Sequence, residues 1–186
     1  INWAIINGEK ETGVTTFFLE DKVDTGNIIL QNYCDISKED DAGSLHDKLM
    51  ELGALTVYST VNLIESSEGN PPVMKQNEFE ASPAPKIFKD NCLIKWNEPA
   101  EKVYDFIRGL SPYPCAFTNI KKNPLKIFKT VRSHRDNIGK PGSFSVRDGK
   151  IFVSCIDEKL EIVELQMGGK RRMSAADFLN GNKDLF

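Results

Sequence analysis

Apolar positions recur along this chain with two periods, and where the period changes the chain is expected to turn. Ile1, Ala4 and Ile5 share one helical face, with Gly8 placed as a C-terminal cap. Val14–Leu19 and Ile28–Cys34 are rich in β-branched and aromatic residues and read as two strands around a charged turn. Leu45, Leu49, Leu52, Leu55 and Tyr58 then follow at helical spacing, and Val57, Val61 and Ile64 widen the stripe. The spacing predicts a helix from Ser44, capped by its hydroxyl with Asp47 reaching back, to Ile64 or Glu65. Gly53 inside that helix costs about 1 kcal/mol against Ala, which predicts a close helix–strand approach there.

Gly69-Asn70-Pro71-Pro72 ends the helix, and the polar, proline-bearing stretch 69–88 reads as an extended linker between residues 1–68 and 89–186. Beyond it, Asn97 is expected to cap a helix with Pro99 in its first turn and Val103, Phe106, Ile107 and Leu110 on its apolar face. Strands are predicted over Leu125–Val131, Phe144–Val146, Ile151–Cys155 and Leu160–Met167, the middle two joined by a tight turn at Arg147–Lys150. Ser174, with Asp177 three residues on and Gly181 after it, brackets a closing helix. The fold class expected is α/β plus β: a sheet-and-helix unit, then a small antiparallel barrel of the oligonucleotide-binding (OB-like) type with one inserted helix. Trp96 and Tyr113 are read as packing residues.

Composition narrows this picture only slightly. A chain of 186 residues accommodates two small domains, and a net charge of -3 does not mark the whole as a nucleic-acid binder, though local basic patches remain open. No apolar run approaches the roughly 20 residues of a membrane span. The four cysteines are widely spaced, with no Cys-x-x-Cys and no histidine in ligand spacing, so no metal site is expected. They read as reduced, buried small residues of a cytoplasmic protein. The opening on Ile1, inside a helical pattern and without Met, reads as the interior of a longer chain.

Asp24-Thr25-Gly26 is the stretch with the most chemical interest, because it sets one carboxylate on a tight turn at a strand end. Four stretches that include it carry a resemblance. They are Glu11–Ile29, Ala84–Ile87 with Ile94-Lys95-Trp96, Ile107–Thr118, and Gly168–Gly181. The first three resemble the folate-dependent formyltransferases with a C-terminal barrel, and the last resembles the branch acting on methionyl-tRNA. Cys115 departs from the family, which usually has Gly there.

The resemblance implies the C-terminal part of a Rossmann-like catalytic domain followed by the barrel. It implies formyl transfer from 10-formyltetrahydrofolate to the amino group of methionyl-initiator tRNA, with the folate as cosubstrate and the tRNA as partner. Asp24 is then the catalytic carboxylate, with Thr25 and Gly26 as substrate-binding turn residues. The family's Asn-x-His pair has no match; His46 and His134 lie in other contexts and read as solvated, so this stretch alone is expected to be inactive. Lys121, Lys122, Lys126, Lys129, Arg132 and Arg135 form one basic region and Lys170-Arg171-Arg172 another, suited to phosphate contacts. Lys86, Lys126, Lys170, Arg171 and Arg172 are the tRNA-binding candidates. Two other readings stay open: a module of another 10-formyltetrahydrofolate-dependent formyltransferase, and a non-catalytic RNA-binding module.

Overall fold

Glu11–Phe17 (β1) and Ile28–Asp35 (β2) pair antiparallel, Glu11 opposite Asp35 and Thr15 opposite Gln31, with a register shift at Thr16/Phe17. This computed structural model describes every residue except Glu78, Glu80, Lys122, Asn137, Ile138, Lys183, Asp184 and Phe186, and only the backbone of 134–136. The chain divides into two compact units. One holds Lys10–Lys38 and Ser44–Pro85; the other holds Ile1–Glu9, Glu39–Gly43 and Lys86–Phe186.

In the first unit β1 begins three residues earlier than its apolar run and ends before Leu19, which is 90% exposed. The long helix, α2 (Ala42–Ser66), starts two residues before Ser44, so Ser44 lies in its first turn and not at the N-cap expected of it. Its buried face is also rotated from the predicted stripe. Leu45 is buried, but so are Thr56 and Thr60, while Leu55, Val57, Tyr58 and Val61 are exposed.

Hydrogen bonds satisfy the polar groups on that buried face. Each threonine donates to the carbonyl four residues back, at 2.7 Å, and each also meets a strand side chain. Thr60 shares a 2.8 Å hydrogen bond with the Thr16 hydroxyl, and Asn32 donates to Thr56 at 2.9 Å. A buried hydroxyl is tolerated when its partners are supplied. Gly53 is not required by close packing. A methyl group there would meet the Val14 methyls at 4.0 Å, an ordinary contact.

Part of the expected linker is tied into this unit. Met74 and Ile28 exchange two backbone hydrogen bonds of 2.8 Å, in an antiparallel bridge beside β2.

In the second unit the strands form a six-stranded sheet, antiparallel throughout. They are β3 (Ala116–Ile120), β4 (Asn123–Asp136), β5 (Phe144–Arg147), β6 (Lys150–Ser154), β7 (Glu158–Met167) and β8 (Met173–Ser174). The order is β3-β4-β7-β6-β5, with β8 also on β7. The β5–β6 turn is the tight one predicted: Arg147 pairs with Lys150, and Asp148 and Gly149 both take positive φ, as a two-residue hairpin of the primed type demands.

The closing helix, α4 (Ala175–Asn180), carries the expected cap, Ser174 Oγ accepting from the Asp177 N–H at 3.1 Å and donating to Asp177 Oδ2 at 2.8 Å. Helix α3 (Ala100–Leu110) buries Val103, Ile107 and Leu110 against Leu125, Ile127, Leu160, Ile162, Leu165 and Phe178. Its N-cap is Pro99, not Asn97. The first helix, α1 (Asn2–Ile6), lies against α3, with Asn2 donating to the Gly109 carbonyl at 2.8 Å; it buries Ile5 but leaves Ile1 exposed.

Polar residues are buried here too. Arg108 binds Asp105 at 2.7 Å and donates to the Asp40 carbonyl at 2.8 Å. Trp96 is in the core, its indole N–H donating to Thr118, but Tyr113 is 82% exposed and so is not the packing residue expected.

Candidate functional site

The Asp24 turn is built by three constraints. Phe18 N–H donates to the Asn27 carbonyl at 3.1 Å, closing the loop between the two strands. The Thr25 hydroxyl donates to the Lys22 carbonyl at 2.8 Å, so its proton is committed to the turn. Gly26 is buried against the backbone of Phe18; a Cβ there would fall 1.6 Å from the Phe18 carbonyl oxygen, which no side chain accommodates. Gly26 is therefore required for packing, quite apart from any ligand.

Asp24 sits at φ 60, in the left-handed region that Asp enters more easily than most residues. Its side chain is exposed and makes no hydrogen bond or ion pair with the described residues. A fourth constraint was not legible in the sequence. Gln76 Nε2 donates to the carbonyls of Asp24, at 3.1 Å, and Gly26, at 2.8 Å.

The cationic candidates differ from one another. Lys126 is exposed on β4, opposite Phe117 on one side and Gln166 on the other. Lys86 lies 5.5 Å from the centre of the Phe88 ring. On the β7–β8 turn the Lys170 ammonium reaches Asn182 at 3.5 Å, while its carbonyl accepts from Gln166 at 2.7 Å. Arg171 is exposed and has no ion-pair partner among the described residues. Arg172 is held: its guanidinium binds Glu164 through two nitrogens and lies 4.3 Å over the Phe128 ring. All three cations are exposed, but among the described residues only Arg172 is neutralised by an ion pair.

Arg132 is likewise paired, with Glu158 at 2.6 Å and Glu101 at 3.6 Å. Lys122 and the side chains of His134 and Arg135 lie outside the described residues. His46 is exposed beside Asp47, at 3.1 Å.

All four cysteines are free, and Cys92, Cys115 and Cys155 are buried. Burial pushes the Cys115 thiol up to about 11 and, with Asp157 and Glu158 nearby, the Cys155 thiol up to about 12. Both stay protonated and unreactive at neutral pH. Among the described residues no three His, Cys, Asp or Glu side chains converge as metal ligands.

The chain thus joins a two-stranded antiparallel hairpin with a long helix, bearing an exposed carboxylate on its turn, to a mainly antiparallel sheet with helices. Residues 1–61 match the family model described as formyl transferase, and residues 86–183 match its C-terminal domain. The chain belongs to the formyl transferase family. It is 44% identical over 196 residues to the methionyl-tRNA formyltransferase of Parabacteroides distasonis, an alignment covering all of this chain and 60% of that protein. The chain thus spans about 60% of the length of the curated relatives it matches.

Two solved structures share the fold. HypX from Aquifex aeolicus, in complex with tetrahydrofolic acid, superposes with a TM-score of 0.71 at 18% identity, over 96% of this chain and 31% of its own. The methionyl-tRNA formyltransferase from Clostridium thermocellum superposes at 0.53 with 21% identity, over 87% of this chain and 60% of its own.

Proposed function

We propose that the protein carrying this chain transfers a formyl group from 10-formyltetrahydrofolate to the amino group of methionyl-initiator tRNA, in the cytoplasm, for translation initiation. The observation that carries this reading is the 44% identity along the whole chain to a methionyl-tRNA formyltransferase. Residues 1–68 then correspond to the last part of a Rossmann-like catalytic domain, 69–88 to a linker, and 89–186 to an OB-like barrel with α3 inserted. The antiparallel order of the second sheet supports the barrel reading.

The reaction asks little of covalent chemistry and much of placement. The methionyl amine attacks a formamide-like carbonyl, an oxyanion forms, and the amine must lose a proton. An exposed carboxylate with no protein partner, on a turn held from several sides, suits orienting a neighbouring acid–base group or relaying that proton. Asp24 has these properties. Thr25 and Gly26 contribute by shaping the turn. Lys86, Lys126, Lys170, Arg171 and Arg172 form the tRNA-facing set; the exposed Lys126, Lys170 and Arg171 make the phosphate contacts, and Arg172 supports the turn that bears two of them.

The test is substrate choice. The full-length protein, given 10-formyltetrahydrofolate, should formylate methionyl-initiator tRNA and leave a nucleotide-linked amino sugar unmodified. Transfer to the sugar with none to the tRNA would overturn the reading.

A further inference from the structure

We propose that Gln76 is a positioning residue for the Asp24 carboxylate, acting from the stretch that follows α2. This rests on the reading of Asp24 as the acid–base carboxylate of formyl transfer. Both partners of the Gln76 side chain are carbonyl oxygens, of Asp24 and Gly26, which only accept hydrogen bonds. The atom between them must therefore be the amide nitrogen, and its two hydrogens match the two acceptors. One side chain thus fixes both ends of the three-residue turn on which the carboxylate stands.

Position explains why this matters. Asp24 is held at φ 60, in the left-handed region that a residue with a side chain adopts only where its surroundings hold it. Its own side chain makes no bond that would hold it there. Thr25 fixes the turn toward Lys22, and Gly26 packs on Phe18, but neither restrains the Asp24 carbonyl. Gln76 does, and it is itself placed two residues beyond Met74, whose paired backbone bonds to Ile28 register the segment against β2. Without the amide donor, the peptide between Asp24 and Thr25 is free to rotate, and the carboxylate samples directions away from the reacting amine. Misplacement of a reacting group by about 1 Å costs on the order of a hundredfold in rate.

The experiment compares Gln76→Met, of similar length with no donor, with Gln76→Lys, which restores donation, in the full-length protein. Gln76→Met should lower kcat about ten- to hundredfold while leaving KM for the folate and the melting midpoint nearly unchanged. Gln76→Lys should recover most of the rate. On an Asp24→Asn background, Gln76→Met should have little further effect, because it acts through that carboxylate. Full activity in Gln76→Met beside a slow Asp24→Asn overturns the inference alone. Equal losses in Gln76→Met and Gln76→Lys also overturn it, assigning the effect to packing. Full activity in Asp24→Asn overturns the reading beneath it and the inference together.

Discussion

Asp157 Oδ1 accepts a 2.8 Å hydrogen bond from the backbone N–H of Ala100, so the first N–H of α3 is satisfied by a residue 57 positions away. Pro99 precedes Ala100 and offers no capping oxygen. The same carboxylate oxygen accepts from the Glu158 N–H at 2.9 Å, so one side chain joins the start of α3 to the β6–β7 turn.

Asp157→Ala should therefore lower stability by about 1 kcal/mol, within the range for loss of a helix cap. Asp157→Asn, which keeps an acceptor oxygen, should lose less. Burial raises the Asp157 pKa, but the N–H groups of Ala100, Glu158 and Asp157 itself, with Arg132 nearby, bring it below 3.8. Its folded value is depressed, so the stabilisation is present above pH 3.8 and fades as pH falls through the folded value. Urea titrations at pH 7 and near pH 3 check this: the gap between wild type and Asp157→Ala should narrow at the lower pH.

Gly53→Ala should stabilise the chain. The site is helical, and the added methyl meets only Val14 at 4.0 Å. Propensity alone predicts a gain of about 0.5–1 kcal/mol, read as a higher urea midpoint. A lower midpoint would show that the strand cannot adjust.

Arg171 and Arg172 should separate binding from folding. Arg171→Ala should weaken tRNA binding and reduce the salt dependence by roughly one phosphate contact, up to about 0.9 in log–log slope. Arg172→Ala should lower the melting midpoint, because it removes the Glu164 pair and the Phe128 stacking. Filter binding across a salt series, with thermal melts of both variants, makes the comparison. Equal effects of the two variants on binding, with no change in melting, would contradict it.

Local signals in the sequence served the β unit best. The Arg147–Lys150 turn and the Ser174 cap are specified by residues within four positions of one another, and both formed as expected. What was missed is non-local. The α2 face turned toward the strands includes Thr56 and Thr60, whose hydroxyls are satisfied by Asn32 and Thr16; hydrophobic spacing cannot reveal that. The cap on α3 comes from Asp157, and the clamp on the Asp24 turn from Gln76, neither marked by its neighbours in sequence. Asp24 itself stood out through family resemblance; an Asp-Thr-Gly tripeptide is otherwise an ordinary turn.

The role proposed for the Asp24 carboxylate in formyl transfer can be tested directly. Asp24→Asn is a clean probe, since Asn tolerates positive φ and the carboxylate makes no bond in the fold that the amide would lose. The decisive measurement is kcat for formylation of methionyl-initiator tRNA by the full-length protein and its Asp24→Asn variant, at matched folding. Asp24→Asn should lose about a hundredfold or more in kcat, in the range for removal of an acid–base group; an unchanged kcat would reduce Asp24 to a turn residue and rule out its part in the reaction.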